Sequence, residues 1–302
     1  MKPPPAPWFQ PKTKKQYLTM MAVLVGSIAL VWISAISWVN RKSASLPPKV
    51  IQKATNLFEE RKYDDAVALL LPVIQEIEKT RGPEDTYLVK HFDLLATIYG
   101  AMKKDANAEP LWRRSYEIRR KNLGPDHTEA IGSGDKLALS LTAQGKYAEA
   151  EPLLRKALAH REAYHGADDQ NVMPSLNRLA ELFLAQKKFA EAESFASRAV
   201  KIGRLKMGLM PPAQPDSLRD LGAALAGLEK HADAAPLYDA AIKHKERQLP
   251  EAPHIPPKPG QISHGDFADL CKEYAAVLRK AGKEKQAKEM EARAEASLKP
   301  KD

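Results

Sequence analysis

Gly145-Lys146-Tyr147-Ala148-Glu149-Ala150-Glu151-Pro152-Leu153-Leu154-Arg155-Lys156-Ala157-Leu158 reads as a tight turn entering an amphipathic helix. Ala150, Leu153, Leu154, Ala157 and Leu158 are three and four residues apart, so they form one apolar stripe. Just upstream, Leu137, Ala138 and Leu141 make a similar stripe on a preceding helix. Gly145 between them tolerates the left-handed conformation that closes many helices. Such a hairpin cannot bury both stripes alone, so the pattern should recur along the chain.

It does. Ala66, Ala108, Ala150, Ala192 and Ala234 are 42 residues apart, and a sixth equivalent, Ala287, follows after a step of 53. Four residues before each stands a lysine: Lys62, Lys104, Lys146, Lys188, Lys230 and Lys283. Twelve before stand Ala54, Ala96, Ala138, Ala180, Gly222 and Ala275, and nine before stand Leu57, Tyr99, Leu141, Phe183, Leu225 and Leu278. Gly82, Gly124, Gly166 and Gly208 keep the same interval. Small residues at two phased positions let helices approach closely, and the large position fills the space beside them. The sequence predicts an all-α solenoid of about six helix-turn-helix units over residues 48–300.

Leu176-Asn177-Arg178-Leu179-Ala180, the Gly145–Glu151 turn and Leu123-Gly124-Pro125-Asp126-His127 resemble the tetratricopeptide repeat, in the long-spaced form of kinesin light chains. The resemblance implies a right-handed superhelix whose first helices line a groove for an extended peptide or a partner helix. Asp105, His231 and Glu284 depart from the aromatic that Tyr63, Tyr147 and Phe189 supply in other copies.

The chain has 302 residues and a formal net charge of +9. Lys2, Lys12, Lys14, Lys15, Arg41 and Lys42 fall before residue 45 with no acid among them, so the repeats are near balance. A nucleic-acid binder carries its basic stripe on the folded domain, so no nucleic-acid partner is expected. Residues 1–15 are proline-rich and read as a disordered tail. Residues 16–40 contain no charged side chain. They are long enough for a transmembrane helix, which needs about 20 apolar residues, and Tyr17 and Trp38 suit the two interfaces. A single-pass membrane protein is therefore expected, with residues 41–47 as linker. The flanking basic residues tie in number; the short basic tail favours an N-terminus inside and repeats on the far side. Removal of the segment as a signal peptide, leaving a secreted or periplasmic repeat protein, is the alternative. Ala22 and Gly26 would let two such helices approach as a homodimer. Residues 248–264 are a proline-rich insertion before the sixth unit.

No pattern of catalytic chemistry stands out. The eight histidines are scattered, and there is one cysteine, Cys271. No His-Glu-x-x-His or phosphate loop occurs. His127 takes the place held by Asp85 and Asp169 in other copies, so it reads as a helix cap. No catalytic residue, cofactor or metal site is expected; a regulatory role beside a partner enzyme is the alternative to a plain scaffold. Arg113, Arg114, Arg119, Arg120 and Lys121 read as a solvated face, or as a contact for an acidic partner or anionic lipid. Function is assigned to the groove. The candidate lining residues stand 15 and 11 before each phased alanine. The first row is Ile51, Asp93, Asp135, Asn177, Arg219 and Lys272; the second is Thr55, Thr97, Leu139, Glu181, Ala223 and Ala276. The first row runs from acidic to basic, which predicts a bipolar groove for a protein or peptide partner.

Overall fold

The computed structural model describes residues 49–206, 214–250 and 262–299. They form six helical hairpins in chain order. These are α1 (Lys49–Glu59) with α2 (Tyr63–Arg81), α3 (Leu88–Ala101) with α4 (Asp105–Leu123), and α5 (Thr128–Ala143) with α6 (Tyr147–His165). Then follow α7 (Met173–Ala185) with α8 (Phe189–Lys206), α9 (Pro215–Gly227) with α10 (His231–Glu246), and α11 (His264–Lys280) with α12 (Glu284–Leu298). No strand occurs among the described residues. Packing divides the chain into two compact units, Met1–Val73 and Ile74–Asp302, with the boundary inside α2.

The phased small residues sit where the periodicity puts them. Ala66, Ala108, Ala150, Ala192, Ala234 and Ala287 are all at most 1% exposed. Ala54, Ala96, Ala138, Ala180 and Ala275 are equally buried. Gly222 is buried too, and a Cβ there would stand 2.9 Å from the Tyr238 ring, so the helices touch with no room for a methyl group. In the second unit each helix packs on the next in sequence. First helices also meet first helices of the following hairpin, α5 with α7 and α7 with α9.

The phased lysines close the turns. The backbone N–H of Lys62, Lys104, Lys146, Lys188, Lys230 and Lys283 donates to the carbonyl five residues earlier at 2.8–2.9 Å. The residue before each lysine has positive φ: Arg61, Lys103, Gly145, Lys187, Glu229 and Gly282. This bond and this φ together terminate a helix in the Schellman manner. Only two of the six copies use glycine, so four carry the left-handed penalty of about 1–2 kcal/mol. Lys187→Gly, at φ 58°, is expected to raise stability by about 0.5–1 kcal/mol, the relieved strain less glycine's extra backbone entropy. Urea unfolding followed by circular dichroism checks this; an unmoved midpoint would show that the turn stores no strain.

The second-helix ends Gly82, Gly124 and Gly166 also have positive φ, between 93° and 96°. The following turns share one cap. Asp85, His127 and Asp169 each accept from the backbone N–H two residues on, at 2.8, 3.2 and 2.9 Å. His127 is therefore a capping side chain.

The single-pass membrane location is corrected here. Among the described residues no helix is long and apolar enough to cross a membrane. The described helices pair a buried stripe with a charged face, so none presents the continuous apolar surface that crossing a bilayer requires. The segment 16–40, the tail 1–15, the linker 41–47 and the Ala22–Gly26 pair lie outside the described residues, as does most of the insertion 248–264.

Candidate functional site

The two rows assigned to the groove behave differently. The second row faces solvent: Thr97, Glu181 and Ala276 are exposed, Leu139 is 37% exposed, and Ala223 is half-buried. Thr97 turns its hydroxyl back to the Asp93 carbonyl at 2.7 Å. In the first unit, Thr55 does the same to Ile51 at 2.9 Å.

Most of the first row is taken up in ties between helices. Asp93 on α3 pairs with Arg119 on α4 at 2.7 Å, and Arg119 also donates to Ser133 on α5 at 2.7 Å. One repeat on, Asp135 on α5 pairs with Arg161 on α6 at 2.7 Å, and Arg161 donates to Ser175 on α7. Each step is 42 residues, so this is one device used twice: an aspartate, an arginine from the second helix and a serine from the next hairpin. Asp135 is 2% exposed and also receives Arg178 from α7. One repeat further the device changes. Asn177 replaces the aspartate, Gly203 replaces the arginine, and Ser217 donates directly to Asn177 at 2.8 Å. Loss of the negative charge and loss of the positive charge coincide, as a buried pair requires. Arg219 on α9 makes a two-pronged contact with Glu273 on α11, at 2.8 and 3.0 Å. Lys272 is exposed and 3.4 Å from Asp269.

The phased lysines have a second use. Lys146 bridges back to Glu109 at 2.5 Å and Lys230 to Glu193 at 3.2 Å, again 84 residues apart. Lys146, with Arg113, holds the Glu109 carboxyl well down, to about 2. The basic residues of α4 are likewise matched. Arg113 pairs with Glu109 and Glu149, Arg114 with Glu78, Arg120 with Glu117 and Lys121 with Glu84. A cavity of about 650 Å³ opens among Pro83, Arg113, Arg114, Lys121 and Pro125. Its lining holds four basic side chains and two acidic ones, Glu84 and Glu117, and each of the four basic side chains is paired with a carboxylate.

Sequence reasoning missed one group of residues. Asp220 on α9 is 2% exposed, and its Oδ2 has no hydrogen-bond partner. Burial pushes its carboxyl up to about 8, and Glu181 adds the largest repulsion. Glu181, open on its outer edge but crowded by protein, is also raised, first by that crowding and then by Asp216. Tyr238, beside Arg219 and Asp220, is raised by burial and stacks on Tyr274 with centroids 5.7 Å apart. The signal was present: Asp220 occupies the repeat position of Lys136 and Arg178, a reversal of sign in that column.

Cys271 is fully buried and burial lifts its thiol to about 11, so it is a core side chain with little thiolate character. Among the described residues no three His, Cys, Asp or Glu side chains gather as a metal site.

Phased hairpins with these turns make an all-helical fold like that of tetratricopeptide-repeat solenoids. Residues 91–129 and 130–204 match models of the tetratricopeptide repeat. Several solved structures share the fold. BtubC (BKLC) from P. vanneervenii superposes with a TM-score of 0.55 at 20% identity, covering 86% of this chain and 90% of that one. A Podosopora anserina protein of kinesin-light-chain type, with nearly identical TPR-like repeats, gives 0.52 at 20% identity over 70% and 95%. PilW, a widely conserved type IV pilus biogenesis factor, gives 0.56 at 16% identity over 82% and 94%. At these identities the likeness concerns the fold alone. No curated protein matches the chain.

Proposed function

We propose that this protein is a protein-interaction scaffold that holds a peptide or helix of a partner along the face formed by its first helices, for assembly of a complex. The observation that carries the reading is the division of labour between the two rows. Asp93, Asp135, Asn177 and Arg219 lock neighbouring helices together, while Thr97, Leu139 and Glu181 stand exposed on the same face. A rigid frame with a chemically varied open row suits binding. Nothing in that row suits bond making, because it holds no nucleophile next to a base. Of the proteins sharing the fold, PilW is itself a biogenesis factor.

The test places a benzophenone-bearing amino acid at Leu139, and separately at exposed Glu117 on α4, in the full chain expressed in its own organism. Irradiation is expected to give a discrete cross-linked protein from position 139 and none from 117. Thr97→Arg, one repeat away on the same row, is expected to weaken that band at least fivefold. Equal yields at the two positions, or no product at 139, would overturn the assignment.

A further inference from the structure

The first-helix face carries a ladder of charge pairs between successive hairpins, and one rung lacks its cation. Arg178 on α7 reaches Asp135 on α5, and Glu273 on α11 reaches Arg219 on α9. Between these rungs, where α7 meets α9, the equivalent residue is Asp220; the repeat register sets neutral Asn177 in the partner column, and the carboxylate that repels Asp220 most is Glu181. Among the described residues, the cations that act on these carboxylates are engaged elsewhere, Arg178 with Asp135 and Arg219 with Glu273, and Lys245 is held by Asp216 at 2.6 Å. The residues 207–213 that join α8 to α9 contain no basic side chain. Two carboxylates therefore remain. Glu181 is exposed and has no hydrogen-bond or ion-pair partner among the described residues. Asp220, which Glu181 repels electrostatically, is buried with Oδ2 unbonded.

We propose that the α7–α9 junction receives a single cationic side chain, lysine or arginine, from a partner peptide lying on this face, with Glu181 taking the charge at the surface and Asp220 completing the pair behind it. This rests on the groove reading above and specifies the chemistry of its ligand. A guanidinium supplies the donors that an unbonded Oδ2 wants. An unpaired buried carboxylate is costly for a fold to keep, and a partner's cation relieves that cost. The formal net charge of +9 argues against indiscriminate attraction of polycations, so binding would have to be local. The groups facing Asp220 are Glu181 on α7, with Arg178 next to it, then Asp216 and Arg219 on α9, Tyr238 on α10 and Glu273 on α11. Because Asp220 holds its proton near neutrality, a bound cation must expel it.

A fluorescein-labelled decapeptide of alternating alanine and arginine is titrated against the full chain by anisotropy. The control is the same peptide with glutamine at every arginine. The arginine peptide is expected to bind at least tenfold tighter, and to gain at least tenfold between pH 6.5 and 8.5. Asp220→Asn is expected to abolish the pH gain, and Glu181→Gln to reduce the preference for arginine at least fivefold. Equal binding of the two peptides, or a preference untouched by either substitution, overturns the proposal. The two readings fail separately. If the cross-link at Leu139 persists without arginine preference, the groove stands and its charge requirement falls. If arginine preference persists without the cross-link, the groove reading falls.

Discussion

Asp135→Ala is expected to lower the unfolding free energy by about 3 kcal/mol, the low end of what removing one partner from a buried ion pair costs. The carboxylate is 2% exposed and holds two arginines from two helices, Arg161 on α6 and Arg178 on α7. Without it, both guanidinium groups lose their countercharge and Arg161 keeps only the Ser175 hydroxyl. The loss stops short of the larger values because the arginines are 24% and 27% exposed, so water can reach them. Asp135→Asn should cost less, since an amide oxygen still accepts one of those bonds. Asp93→Ala is the natural comparison. Asp93 is 21% exposed and holds one arginine, so its removal should cost about half as much, nearer 1–2 kcal/mol. Urea unfolding of the three variants checks the order; an Asp135→Ala midpoint no lower than that of Asp93→Ala would refute the two-arginine account. Asp135→Lys would place three cations together inside the array, so it would report on folding before it reported on any partner.

The contrast between Asp135 and Leu139 shows how much of this protein is legible in its sequence. Both lie on α5 one turn apart, and both were assigned to the groove by counting from Ala150. Period alone places the buried stripe, because burial of Ala138 and Leu141 depends on their own helix and its hairpin mate. The turns were legible for the same reason, since Gly145 and the capping positions Asp85, His127 and Asp169 act within a few residues. The flanking polar positions were not. Whether Asp135 points to solvent or to a partner is decided by Arg161 and Arg178, 26 and 43 residues away. A single helical wheel contains no such information. Comparing the same column in successive repeats does: Asp93, Asp135 and Asn177 against Arg119, Arg161 and Gly203 change together. Residues 16–40 mark a different boundary. Their apolar run was read by itself, but the described helices contain no membrane-crossing one.

Asp220→Asn is expected to stabilise the protein by about 2–4 kcal/mol at pH 7.5, and to remove most of the pH dependence between about 4 and 8 that this side chain creates. In the unfolded chain an aspartate gives up its proton near pH 3.9, whereas burial and the neighbouring Glu181 keep it on Asp220 up to about 8 in the folded protein. Below about pH 4 both states are protonated and the group contributes no difference. Between the two values the folded state binds more protons than the unfolded one, so stability falls as pH rises, by about 1.4 kcal/mol per unit at most. Above 8 the full penalty is present. The whole interval would exceed the range given above; local opening that lets water reach the carboxylate keeps the observed gain lower. Glu181, raised in the same direction, adds a slope of the same sign. Glu109, held near 2, acts oppositely and in a separate window, since its contribution is lost only as pH falls toward 2. The difference between wild type and Asp220→Asn therefore isolates Asp220, and denaturant midpoints at pH 5, 6.5 and 8 measure it. The gap should widen with pH; a constant gap would mean that the side chain is ionised in the folded state throughout. A residue whose removal strengthens the fold while abolishing the pH-dependent gain in arginine binding has been placed for something other than folding. That trade is what a cation receptor on the α7–α9 rung requires.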